Sequence, residues 1–142
     1  MRTMILSCVL LFSSAAVAAP IPVSDAAELA AAIGSAAAGD VITLAPGSYV
    51  LDKNLSCQGA GTAAAPIVVR AAKLGDAKIR FSAVEGFKVS APHWRFENLD
   101  IEGICATHSA CEHAFHVVGE ADHTVIRGCR LHEYNAMIKG NG

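Results

Sequence analysis

The chain has 142 residues, is 53% hydrophobic and 17% charged, and carries a formal charge of −2. So much apolar content excludes a disordered polypeptide, and the lack of any basic run or basic–aromatic stripe argues against nucleic acid as a partner. The length suits one small domain.

Met1–Ala18 has the layout of a secretory signal peptide: a basic start at Arg2, an apolar run from Met4 to Phe12, and a small-residue end at Ala16-Val17-Ala18. The apolar run is shorter than the roughly 20 residues a membrane span needs. Cleavage after Ala18 leaves residues 19–142 with a formal charge of −3, since Arg2 is lost. The expected location is secreted or periplasmic, with no membrane partner after cleavage.

Asp25 and Glu28 are spaced as a capping box, with Asp25 as cap and Glu28 reaching back to the cap amide. Leu29, Ala32, Ile33 and Ala36 follow at helical spacing, so an amphipathic helix is predicted over about 25–38, ended by Gly39-Asp40. Beyond it the pattern becomes strand-like. Val41–Leu44 is closed by the turn pair Pro46-Gly47. Leu55–Ala65, rich in Gly, Ala and Thr, reads as an exposed loop. Strands are then predicted at Pro66–Arg70, Lys78–Phe81, Phe87–Val89, Trp94–Phe96, Leu99–Ile101, Phe115–Val118, Val125–Ile126 and Met137–Lys139. No long helix separates them, which excludes doubly wound α/β folds.

Two of these stretches repeat each other. Gly86–Gly103 (GFKVSAPHWRFENLDIEG) aligns with Ala114–Glu133 (AFHVVGEADHTVIRGCRLHE), and a further copy starts at Ala136. Phe87, Val89, Phe96, Leu99 and Ile101 match Phe115, Val117, Ile126, Cys129 and Leu131. Short apolar strands recurring once per coil of roughly 20–30 residues mark a solenoid. With no helical period in the unit, the fold class is all-β, a parallel β-helix. The helix would cover the apolar end of the first coil, or, alternatively, pack on the side of a sheet.

The last copy admits two registers. Matching Phe115 to Met137 would turn Lys139 inward beside Val117 and bury an unpaired ammonium, at a cost of several kcal/mol. Matching Phe115 to Ile138 turns Lys139 outward, in a column with Lys88 and His116. Solvation favours the second.

Four cysteines lie beyond the leader: Cys57, Cys105, Cys111 and Cys129. Export favours disulfides, and Cys105 and Cys111, flanking CATHSAC, are the predicted pair. With His108, His113 and His116 they could instead bind zinc. Cys129 takes a repeat position matched by Leu99, so it is predicted to be a small buried hydrophobe; Cys57 has no evident partner.

The runs VSDAAELAAAIGSAAAGDVITLAPGSY, GTAAAPIVVRA and HWRFENLDIEG together resemble the N-terminal part of the chondroitinase B and alginate lyase group, polysaccharide lyase family six. The later repeat is similar to right-handed parallel β-helix repeats in general. The resemblance implies a right-handed β-helix whose C-terminal coils are missing from this chain, acting on an acidic polysaccharide by β-elimination, with calcium as cofactor. In that family the calcium-binding carboxylates and the catalytic Lys and Arg lie further along the solenoid, so no catalytic residue carries over. Alternatives are a non-catalytic carbohydrate-binding or surface β-helix, or a hydrolase or epimerase on the same scaffold.

Of this chain's own residues, Lys88, His116 and Lys139 are the catalytic or binding candidates. A uronate lyase needs a cation against the substrate carboxylate and a base for the proton beside it. An ordinary solvated strand face would look the same. Glu97, Asp100, Glu102, Glu112, Glu120 and Asp122 are acids without a spacing that singles out a hydrolytic or calcium-binding pair. Trp94 is a buried aromatic or a sugar platform, His132–Asn135 a turn, and Asn54-Leu55-Ser56 a glycosylation sequon.

Overall fold

The computed structural model describes residues 19–141. The predicted leader Met1–Ala18 lies outside the described residues, as does Gly142.

Strand alternation puts one face of each short β-branched run into a core, and three such faces close a coil. β1 (Ile21–Val23) precedes the helix α1 (Ala26–Gly34). The first coil is β2 (Val41–Leu44), β3 (Gly47–Leu51) and β4 (Leu55–Cys57). The second is β5 (Ile67–Ala71), β6 (Ala77–Phe81) and β7 (Glu85–Val89). The third is β8 (Trp94–Glu97), β9 (Asp100–Gly103) and β10 (His113–Val118). The fourth is β11 (Val125–Arg127), β12 (Arg130–His132) and β13 (Ala136–Asn141). Each coil gives one strand to each of three sheets, ordered β1-β2-β5-β8-β11, β3-β6-β9-β12 and β4-β7-β10-β13. All pairings are parallel. The molecule is a parallel β-helix, and strand crossovers of this kind are right-handed.

Register follows the repeat. Phe87 pairs with Phe115, Val89 with Val117, Phe96 with Ile126, and Ile101 with Leu131. Phe115 pairs with Ile138 and His116 with Lys139, the register in which the ammonium stays in water. The core is built from files of stacked residues. Leu55, Phe87 and Phe115 form one, and Tyr49, Ile79 and Ile101 another.

The helix is shorter than predicted. Asp25 caps it by accepting the Glu28 amide at 2.8 Å, but the Glu28 carboxylate accepts from the Ser24 amide at 2.7 Å and not from the cap residue. It ends at Gly34 because the chain turns there: the Asp40 carboxylate takes the Ala37 amide at 2.8 Å and holds the segment out of helical geometry. Leu29 and Ile33 are buried, and the helix packs against β1 to β4, so it closes the end of the first coil.

Four strands lie outside the predicted set; β12 is marked only by the match of Leu131 to Ile101. β1 is another, and β3 lies beyond a turn pair that hid the alternation of Tyr49 and Leu51. β4 falls within the stretch read as an exposed loop: Leu55 and Cys57 are buried under Phe87 and Val89, so that reading fails for these three residues. The third and fourth coils turn between the first and second sheets on a single left-handed residue, Asn98 (φ 58°) and then Gly128 (φ 62°). Glycine suits the second corner doubly, because a Cβ there would sit 2.7 Å from Asn98 Oδ1.

Cys105 and Cys111 form the expected disulfide. Cys57 is a free, buried thiol whose ionisation burial pushes far up. Cys129 is only half-buried, a correction to its expected burial; it follows β11, the edge strand of its sheet, which no further strand covers among the described residues.

Tyr134 is buried with a hydroxyl that has no hydrogen-bond partner among the described residues. Burial, and secondarily the Glu102 charge, raise its phenol above the ordinary range. Tyr134→Phe is expected to leave the fold intact and to gain about 1 kcal/mol, the desolvation cost of an unsatisfied group. Above pH about 10 the unfolded phenol ionises while the folded one keeps its proton, so folding stability falls as pH rises. The Phe variant should lose stability less steeply between pH 9 and 11, as thermal melts at each pH would record.

Candidate functional site

The outer face of the third sheet carries the predicted column. Phe87 and Val89 point into the core, so Lys88 between them faces out, and the same alternation turns His116 outward between Phe115 and Val117. Register stacks Ser56, Lys88, His116 and Lys139 on successive rungs, about 4.8 Å apart. Neither Lys88 nor Lys139 has an ion-pair partner among the described residues.

His116 differs from its neighbours in the column. Its side chain is 12% exposed, its Nδ1 hydrogen-bonds the Glu85 carboxylate, and its Nε2 lies 2.9 Å from Asn141 Oδ1. With both ring nitrogens engaged, the imidazole is held as a post between two rungs. His113 packs beside it, ring centres 5.9 Å apart, with Nδ1 3.3 Å from the Ala136 carbonyl and Nε2 3.5 Å from Glu112. Glu85 also lines a depression of about 390 Å³ formed with Asp52, Lys53, Asn54, Ala83 and Val84 at the corner between the second and third sheets. Through Glu85, which His116 contacts, the column borders this depression.

Glu85 and Asn141 were not singled out in the sequence. The repeat alignment could have flagged Glu85, which stands opposite His113. Asn141 pairs with Val118, and only side-chain geometry brings it to His116.

The other candidates separate. Both sulfurs of Cys105 and Cys111 are in the disulfide, so neither can ligate zinc as a thiolate; His108 is exposed in the short 3-10 turn His108–Ala110 of that loop. No group of three His, Cys, Asp or Glu side chains among the described residues is arranged to hold a metal ion. Trp94 is fully buried and donates its indole N–H to the Gly59 carbonyl at 2.7 Å, so it is a core residue and not a sugar platform. Three of the acids join coils: Glu97 binds Arg127 at 2.7 Å, Glu102 binds Arg80 at 2.7 Å, and Asp100 binds Arg130 at 2.8 Å. His132, expected in a turn, ends strand β12 and lies 2.9 Å from Asp100.

No family model and no curated protein matches the chain. Among solved structures, a PL6 family alginate lyase, AlyGC, superposes with a TM-score of 0.67 at 18% identity, over 87% of this chain and 18% of that one. The shared feature is the fold, a β-helix resembling the PL6 group. The chain spans less than a fifth of the length of that lyase.

Proposed function

We propose that the protein is an exported β-helix that binds an acidic polysaccharide along the outer face of its third sheet, and that the intact polypeptide cleaves such a polymer by β-elimination. The observation that carries the binding reading is the register of Lys88 and Lys139 on either side of His116, two unpaired ammonium groups on a ladder of strands. Rungs about 4.8 Å apart advance at a rate comparable with the sugar units of an extended chain, so the two ammonium groups, two rungs or about 9.6 Å apart, suit every second carboxylate of a polymer with an acid on each unit. The similar solved structure is an alginate lyase, which supports a polysaccharide ligand. The leader-like Met1–Ala18 supports export.

The lysines would supply the charge that β-elimination requires against the substrate carboxylate, which makes the adjacent proton easier to remove. His116 would set the spacing between them, since Glu85 and Asn141 occupy its nitrogens. That occupancy favours one second reading, a non-catalytic carbohydrate-binding β-helix, because it leaves the column without a free base.

The test is titration of the full chain with uronate oligomers and with neutral oligosaccharides of equal length. Binding should be selective for the acidic oligomers and should weaken with salt. The double variant Lys88→Ala/Lys139→Ala should bind at least tenfold more weakly, the equivalent of about 1.4 kcal/mol. Unchanged affinity would remove the column from the proposal. Ultraviolet-absorbing unsaturated products would identify a lyase, reducing ends without that absorbance a hydrolase, and saturable binding without turnover the binding module.

A further inference from the structure

The outer face of the second sheet holds a separate constellation of charge. Register places Lys78, Asp100 and Arg130 in one outward column, and Arg80, Glu102 and His132 in the column beside it. In each, an acid on the middle rung is flanked by basic side chains above and below. Asp100, its side chain only 6% exposed, uses both oxygens: Oδ2 accepts from Arg130 at 2.8 Å, and Oδ1 lies 2.9 Å from His132 Nε2. Glu102 Oε2 accepts from Arg80 Nε at 2.7 Å.

This is more than a ladder of ion pairs, because it does not close. Lys78 pairs in register with Asp100 yet makes no ion pair among the described residues, since both Asp100 oxygens are turned to the opposite rung. Arg130 is 57% exposed and commits one terminal nitrogen to Asp100, which leaves other N–H donors of its guanidinium facing water. Between these two cations lies a cavity of about 230 Å³, lined by Lys78, Asp100, Glu102, Arg130 and His132. The cavity walls balance two cations, Lys78 and Arg130, against two carboxylates with His132 neutral; Arg80, held by Glu102 outside that lining, brings the whole constellation to one positive charge in excess, and Lys78 is the cation with no acid partner among the described residues. The acids hold the basic groups in place, and the uncompensated charge is what an incoming ligand meets.

We infer that this cavity is a second binding site, for an acidic saccharide unit whose carboxylate or sulfate bridges Lys78 and Arg130. The oxyanion takes charge-assisted hydrogen bonds from both cations. Glu102 Oε1 and His132 Nδ1, neither of which has a partner among the described residues, face the sugar hydroxyls. A metal ion does not suit the same walls, because both Asp100 oxygens are engaged and the Lys78 and Arg130 cations flank the space. The site lies on a different sheet from the Lys88 column and does not depend on it.

The experiment is a chemical-shift titration of the isotope-labelled full chain with inorganic sulfate, with a glucuronate oligomer and with a neutral oligosaccharide of the same length. Sulfate and the glucuronate oligomer should each shift Asp100, Arg130 and His132 resonances saturably, and the neutral sugar should not. Lys78→Ala, at an exposed position with no ion pair, should weaken this response at least fivefold with an unchanged melting temperature, and Lys78→Arg should retain it. Lys88→Ala/Lys139→Ala should leave it intact, so failure of the column would not count against this site. No saturable shift at Arg130 and His132, equal shifts with the neutral sugar, or indifference to Lys78→Ala would overturn the inference. Saturation by sulfate without saturation by the glucuronate oligomer would overturn its assignment to carbohydrate.

Discussion

Replacing Phe87 with alanine should lower the stability of the domain by about 3–5 kcal/mol, the range for a fully buried phenylalanine. The ring has no solvent exposure and touches three others. It stacks on Phe115 with centroids 5.2 Å apart and planes 16° from parallel, meets Phe81 edge-on at 5.4 Å, and leans on Phe96 at 5.0 Å. These neighbours come from two coils and all three sheets, so the cavity left behind cannot collapse without moving whole rungs. Since a domain of this size is stable by on the order of 5–15 kcal/mol, the variant loses a large part of its total. Phe87→Leu, which keeps most of the volume, should cost less than about 1.5 kcal/mol if the site repacks. Denaturant titration of the two variants measures the difference. A loss below about 1 kcal/mol for the alanine variant would show that the aromatic file does not organise the core. The same variant links core to site: Lys88 is the next residue along β7, so loosening that rung should also weaken binding of uronate oligomers at the column.

What the sequence disclosed tracks the range of the interactions involved. The coil repeat was legible because side chains alternate along strands and because Phe87 and Phe115 recur at matched places. The register of the last coil was legible from a single solvation argument about Lys139, and the pairing of Phe115 with Ile138 bears it out. The Cys105–Cys111 bond followed from short spacing and the expectation of an oxidising destination. The end of the helix was not legible. Ala36 continues the apolar period and alanine favours helix, but the Asp40 carboxylate captures the Ala37 amide, a contact that depends on how the next strand is placed. β4 stayed hidden inside a loop-like composition, since its two buried residues acquire partners only when the second coil stacks on it. The sites show the same limit. The column Lys88–His116–Lys139 came from register alone, whereas the Glu85 and Asn141 contacts of His116, and the Asp100–His132 pair, join residues 25 to 32 positions apart through side-chain orientation.

A methyl group at Gly59 should be as damaging as a hole at Phe87, for the opposite reason. A Cβ built there would overlap the Ala36 carbonyl oxygen and lie 3.0 Å from its carbon and 3.3 Å from Ile67 Cδ1. The first two are backbone atoms of the segment that follows the capping helix, so no side-chain rotation relieves them. The Gly59 carbonyl is also the acceptor for the Trp94 indole at 2.7 Å, so the residue cannot retreat without breaking that bond in the core. Gly59→Ala must therefore push the helix segment away from the end of the first coil, opening the apolar surface that Leu29 and Ile33 cover. The expected loss is about 3 kcal/mol, at the upper end of overpacking costs, equivalent to roughly 10 °C in melting temperature for a domain of this length. Gly34→Ala is the matched control: at the last position of α1, a Cβ meets nothing within 4 Å. That variant should be neutral or more stable by up to about 1 kcal/mol, as helix propensity favours alanine. Similar melting temperatures for the two variants would mean that the helix does not seal the coil end through this contact. A loss confined to Gly59→Ala, accompanied by increased binding of a hydrophobic dye, would show that the cap had lifted.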